Sequence, residues 1–238
     1  MADREPKADI TEEEAPRAVV LLSGGLDSST VLAWARSTGR RCFALSFDYG
    51  QRHRIELERA SEIAGVLGAE EHRTATIDLR VFGGSALTDD IEVPKDRVDA
   101  HGRVDGETPE TSIPITYVPA RNTIFLSFAL AYAEVRKASE IWLGINAIDY
   151  SGYPDCRPEY LDAFQKLADL ATKVGVEGHG PRFVAPLAAL TKVGIVRKAR
   201  ELGVPIDRTL SCYDPGPGGA SCDRCDSCIL REQALREA

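Results

Sequence analysis

Two groups of residues in this chain have types and spacings suited to chemistry. The first is Ser23-Gly24-Gly25-Leu26-Asp27-Ser28-Ser29. Glycines let the backbone come close to an oxyanion, and free N–H groups with seryl hydroxyls supply donors, so the string suits a phosphate. Asp27 would repel a bare phosphate, which points to a divalent cation, Mg2+ by default, bridging carboxylate and phosphate oxygens. Without a ligand the same string is a serine-capped strand-to-helix turn with Asp27 as an early-helix charge. It is not a Walker loop, which needs a longer glycine spacing and a lysine before Ser or Thr. The second group is Cys212, Cys222, Cys225 and Cys228, four of the six cysteines. Four thiolates close a tetrahedral shell around Zn2+ with no position left for water, the donor set of a structural centre; an iron–sulfur cluster uses the same four ligands.

The elements that must position these groups are legible in the apolar pattern. Ala18 to Leu22 is a continuous apolar run stopped by Ser23-Gly24-Gly25, as in a strand buried on both faces, and 28–37 reads as the helix that follows. A second buried strand is expected over 42–47, a helix over 55–67 closed by Gly68, and a third strand over 72–77. The alternation implies an α/β domain with a doubly wound, mostly parallel sheet. Residues 81–118 break the rhythm with Gly83-Gly84, Pro94, Pro109 and Pro114 and read as a long loop or lid. Helices are expected again over 122–135, 158–174 and 192–202, with a short strand over 141–144. Residues 1–16 read as a disordered acidic tail, 17–205 as the catalytic domain, and 206–238 as a small cysteine-bearing element.

Further candidates stand at the ends of these elements. Arg121, opening a helix with Asn122, can offer its planar fork to a phosphate or a purine-like ring, or be a solvated helix-start residue. Lys192, at another helix start after Thr191, can offset charge on a triphosphate, or equally be a solvated first-turn lysine. Gln51, Arg52 and His53 follow a strand end, the edge where open α/β sheets bind ligands; Arg52 suits a carboxylate, and His53 could instead cap a helix. The stretch Asp149-Tyr150-Ser151-Gly152-Tyr153-Pro154-Asp155-Cys156-Arg157 offers Tyr150 and Tyr153 for stacking on a flat heterocycle and Asp149 or Asp155 for its ring N–H groups, or forms a hydrogen-bonded turn. Cys42 reads as inert core and Cys156 as a packing residue.

The glycine loop resembles the SGGxDS signature of the PP-loop ATP pyrophosphatases, which split ATP to AMP and pyrophosphate while adenylating a substrate oxygen. Together with Phe47 to His53, Val118 to Asn122, Asp149 to Arg157 and the terminal cysteines, it resembles the 7-cyano-7-deazaguanine synthases over about 18–232. That resemblance implies ATP contacts along Leu22, Ser23, Gly24, Gly25, Leu26, Asp27, Ser28, Ser29, Thr30, Val31 and Leu32, with Asp27, Lys192 and Arg121 as catalytic residues. It also implies substrate contacts from Gln51, Arg52, His53, Asn122, Asp149, Tyr150, Tyr153, Asp155 and Arg157, and Zn2+ rather than iron on the four cysteines. The implied activity converts 7-carboxy-7-deazaguanine, ammonia and ATP into the nitrile, and the implied assembly is a homodimer.

The formal net charge of -8 argues against a nucleic-acid-binding surface, which normally carries a basic stripe. Both rival readings, a PP-loop enzyme that modifies tRNA and a zinc module that binds nucleic acid, meet that objection. No apolar run approaches the roughly 20 residues that cross a bilayer, and the first residues lack the order of a signal peptide. The chain is therefore expected in the cytoplasm.

Overall fold

The computed structural model describes residues 14–51, 54–99, 113–147 and 152–238. Among them, β1 (Arg17–Leu21), β2 (Arg41–Asp48), β3 (Glu71–Thr76), β4 (Glu140–Trp142) and β5 (Arg182–Val184) form one sheet in the order β3-β2-β1-β4-β5, every pair parallel. The helices are α1 (Leu26–Ser37), α2 (Ile55–Val66), α3 (Arg121–Arg136), α4 (Pro158–Ala171), α5 (Lys173–Val176), α6 (Lys192–Glu201) and α7 (Asp226–Glu237).

Strand side chains alternate between faces, and the two cores divide accordingly. Ala18, Val20, Cys42 and Ala44 face the layer made by α1, α2, α6 and α7. Val19, Phe43, Leu45 and Phe47 face the layer made by α3 and α4. With helices on both faces, β1 has no polar side to show, which is why it is apolar from Ala18 onward. The chain moves outward from β1 to β3, then returns to place β4 on the other side of β1. This reversal opens a crevice at the carboxyl ends of β1 and β4, the usual ligand position in such sheets.

The expected elements recur with shifted ends. Helix α1 begins at Leu26, two residues before the expected start, so Asp27 lies in its first turn. Strand β4 stops at Trp142, leaving Leu143 to Asn146 free to line the crevice. The helix expected over 158–174 is broken at Thr172, whose extended backbone (φ -120°, ψ 155°) starts α5 and whose hydroxyl accepts from Gly175 N. Strand β5 is too short and too exposed to announce itself, and α7 is an element that the cysteine spacing concealed.

The described part of the long connection is a strap rather than a free loop. Ala86 and Val93 are buried with Leu210, Cys212, Cys225 and Cys228. Lys95 pairs with Asp214 at 2.9 Å, Arg97 with Asp226, and Arg224 with Asp96.

Candidate functional site

The loop after β1 turns on Gly24, whose φ is +81°. A Cβ there would stand 2.6 Å from Glu56 O and 2.8 Å from Ala60 N, so only glycine lets the loop pack against the start of α2. Three serines hold the loop's shape. Ser23 N donates to Ser28 Oγ at 3.1 Å, the two hydroxyls lie 3.0 Å apart, and Ser29 Oγ donates to Gly25 O at 2.7 Å. Gly25 is the N-cap of α1 and offers no side chain there; its own N–H and that of Leu26 point at Ser23 Oγ and Ser211 Oγ, which leaves the amides of Asp27 and Ser28 as the candidate anion donors at the crevice.

Asp27 projects from this first turn into a three-residue contact. Lys192 Nζ donates to its two oxygens at 2.7 and 2.8 Å, and Asn146 Nδ2 donates to Oδ2 at 2.8 Å. Lys192 is the first residue of α6, held there because Thr191 Oγ1 caps the helix by accepting from Gly194 N. Asn146 reaches Asp27 from the turn after β4. A cation and an anion thus meet at the mouth of the phosphate loop, both mostly shielded from solvent.

The opposite wall is aromatic. Phe47, at the end of β2, stacks on Phe125 of α3 with centroids 3.9 Å apart and planes 4° apart, and Tyr49 packs edge-on to the same ring at 5.5 Å. Tyr153 Oη lies 2.9 Å from Thr116 Oγ1. Arg121 enters beside this wall, its guanidinium 6.0 Å from the Phe125 centroid. It is aimed inward by Ala120, which adopts a left-handed conformation (φ 54°) that costs a non-glycine residue about 1–2 kcal/mol. Ala120 N donates to Tyr117 Oη at 3.0 Å, which helps hold that turn. Asp155 Oδ2 accepts from Asn122 N at 2.9 Å, and the Asn122 amide donates to Asp155 O and Cys156 Sγ, so these residues brace the start of α3. Glu56 completes the wall: burial pushes its carboxyl up to about 7 against the downward pull of Arg121, and it has no hydrogen-bond partner among the described residues.

The space between the walls is about 350 Å³. Of the residues expected from sequence, Leu22, Ser23, Gly25, Leu26, Asp27, Ser28, Gln51, Arg121, Asn122, Tyr153, Asp155 and Lys192 line it. Gln51 turns back on its own strand end, accepting from Tyr49 N and donating to Phe47 O. Thr30, Val31 and Leu32 lie on the buried side of α1, Ser29 bonds only within the turn, and Gly24 packs on α2. Arg157 is exposed at the start of α4, away from the cleft. Arg52, His53, Asp149 and Tyr150 lie outside the described residues. Sequence reasoning missed Asn146, Glu56, Ser211 and the Phe47–Phe125 pair; Asn146 follows β4 at the strand edge where ligands bind, a signal that was available.

The four cysteines converge as expected. The sulfurs of Cys212, Cys222, Cys225 and Cys228 all lie within 4.8 Å of one another, and those of Cys222 and Cys228 are 4.0 Å apart. A tetrahedral Zn–thiolate shell has sulfurs about 3.8 Å apart, so the cluster fits such an ion. Backbone N–H groups of Asp214 and Cys222 point at Cys212 Sγ, and that of Cys225 at Cys222 Sγ. Cys42 lies apart from the cluster in the core, where burial pushes its thiol up to about 12, as expected of inert core.

The family model described as Queuosine biosynthesis protein QueC matches residues 17–238. Over 223 residues the chain is 57% identical to the 7-cyano-7-deazaguanine synthase of Desulfatibacillum aliphaticivorans, covering 93% of each chain. It is 60% identical over 226 residues to the protein of the same name from Anaeromyxobacter dehalogenans, covering 94% of this chain and 93% of that one. A solved 4-thiouridine synthetase in complex with RNA and bound ATP matches with a TM-score of 0.50 at 19% identity, covering 92% of this chain and 50% of that one. That last likeness is one of fold.

Proposed function

The chain belongs to the QueC family of queuosine biosynthesis proteins, and from that premise we propose that it is a ligase making 7-cyano-7-deazaguanine from 7-carboxy-7-deazaguanine, ammonia and ATP. The observation that carries the reading to atoms is the Asp27–Lys192 contact at the mouth of a phosphate loop, facing an aromatic wall across one cleft. A carboxylate oxygen is a poor leaving group until it is joined to AMP. The substrate carboxylate attacks the α-phosphorus of ATP and expels pyrophosphate; ammonia then displaces AMP to give the amide. The amide oxygen repeats the attack on a second ATP, and loss of AMP leaves the nitrile.

The chain's own groups divide the work. The open amides of α1 and the Lys192 ammonium receive the triphosphate and stabilise departing pyrophosphate, which needs no covalent enzyme nucleophile. Arg121 presents its fork to the substrate carboxylate, and Phe47, Phe125 and Tyr153 make a flat, mostly apolar slot for the heterocycle. Gln51, Arg52, His53, Asn122, Asp149, Tyr150 and Asp155 remain our proposed substrate-side contacts, with Asn122 and Asp155 acting through the brace they form; Arg157, exposed outside the cleft, is not kept among them.

Mg2+ fits Asp27. A carboxylate has about four lone-pair sites, and Lys192 with Asn146 uses three of them, leaving one for a cation. When bound, the ion would neutralise charge on the pyrophosphate oxygens. We assign Zn2+ to Cys212, Cys222, Cys225 and Cys228 as a structural ion, since a closed thiolate shell leaves no position for substrate. In this reading residues 17–205 carry the chemistry and 206–238 the metal element. No helix among the described residues is long and apolar enough to cross a membrane, and we read the protein as a cytoplasmic homodimer. The test is incubation of purified protein with the acid, ammonium chloride and MgATP, with products identified by liquid chromatography and mass detection. The nitrile is expected. Acid recovered unchanged by metal-replete protein would overturn the assignment.

A further inference from the structure

The cysteine element does more than hang on the end of the catalytic domain. The segment just before Cys212 docks on the phosphate loop: Leu210 N donates to Gly24 O at 3.0 Å, and Leu26 N, one of the first amides of α1, points at Ser211 Oγ at 3.4 Å. That segment is held from behind by Arg231 of α7. Its Nη2 donates to Ile206 O at 2.7 Å, and its Nη1 donates to Thr209 Oγ1 at 2.7 Å and to Ser211 Oγ at 3.3 Å. The guanidinium is largely removed from solvent, and its charge is felt by Glu232 and, more weakly, by Cys228 and Asp27. Ser211, Ser227 and Leu230 line the cleft itself.

We propose that Arg231 and Ser211 are positioning residues for the phosphate loop, with Arg231 fixing residues 206–211 and that segment holding Gly24 and Leu26 in the shape that receives the triphosphate. The geometry makes one guanidinium the joint between two parts of the chain. Three of its hydrogen bonds reach backbone or hydroxyl oxygens on a segment with no regular secondary structure beyond a short turn at Ile206–Arg208, and that segment touches the loop twice. Such a planar fork cannot be replaced by an ammonium without losing donors.

The inference rests on the reading of the loop as an ATP site, and the test separates the two. Isothermal titration with α,β-methylene-ATP and Mg2+ gives nucleotide affinity for the wild type, Arg231→Met, Arg231→Lys and Ser211→Ala. Metal content and circular dichroism are measured on the same samples. Removing hydrogen bonds from a charged group predicts a loss of affinity of about tenfold or more in Arg231→Met, a smaller loss in Arg231→Lys, and roughly threefold in Ser211→Ala. Metal content should match the wild type, and in turnover the KM for ATP should rise more than kcat falls. If Arg231→Met is folded and binds nucleotide like the wild type, the inference is wrong. Should that variant fail to fold, Ser211→Ala decides, and unchanged affinity there overturns it equally. A wild type that binds no nucleotide overturns the ATP reading, and this inference with it.

Discussion

Glu56 gives the sharpest pH prediction. Its carboxyl lies in the wall of the cleft, where burial pushes it up to about 7, while in an unfolded chain a glutamate ionises near 4.3. The folded state therefore holds a proton that the unfolded state has released across that window. The stability this protonation contributes is fully present below about 4.3 and is lost as pH rises through about 7, a difference on the order of 4 kcal/mol. Glu56→Gln keeps the shape but cannot ionise. At pH 8 the variant should be more stable than the wild type by up to that amount, and its advantage should shrink toward zero at pH 4.5. For a chain of this size each kcal/mol moves the melting temperature by roughly 2–4 °C, so several degrees are expected. Thermal melts of both proteins, followed by circular dichroism at the two pH values, give the difference directly, and other titrating groups cancel in the subtraction. An identical difference at both pH values would show that Glu56 does not hold its proton in the fold, and the reasoning would be refuted.

Asp27→Asn removes the counter-charge of Lys192 and the proposed cation ligand, so AMP release should fall at least about 100-fold while the circular dichroism spectrum is retained; near-normal AMP release would remove Asp27 from the mechanism. Gly24→Ala puts a Cβ 2.6 Å from Glu56 O at a φ of +81°, a backbone penalty of about 1–2 kcal/mol before the clash is counted, and should lower the melting temperature and weaken nucleotide binding together. Cys228→Ser should lose bound zinc and loosen both α7 and the strap at 85–99, read by elemental analysis and limited proteolysis; iron, or no stoichiometric metal, in wild type purified without chelators would contradict the zinc assignment.

What could be read from the sequence follows how far each signal reaches along the chain. The β1 run and its glycine loop are local, so the handover from strand to helix and its phosphate character were legible, as was the cysteine set, whose spacing carries its own chemistry. Lys192 and Arg121 were visible because each opens a helix. Their partners were not: Asn146 meets Asp27 across 119 positions and Ser211 meets Leu26 across 185. Only the return of the chain to put β4 beside β1, and of the segment 206–211 onto the loop before α1, brings these groups together. Glu56 reads in sequence as one more acidic residue in the first turn of a helix, and its role depends on the wall that α3 builds over it. Strand β5 and the break at Thr172 escaped because three residues give no periodicity and one extended residue leaves no mark in an otherwise helical pattern.

The central claim is that one cleft adenylates twice, because turning a carboxylate into a nitrile removes two oxygens and each must leave as AMP. Quenched reactions with the acid, ammonium and ATP, resolved by chromatography with mass detection, count AMP against nitrile. The account predicts about two AMP per nitrile from the acid and about one when 7-amido-7-deazaguanine is supplied instead, since only the second activation then remains. One AMP per nitrile from the acid, or an amide that is never converted, would contradict it.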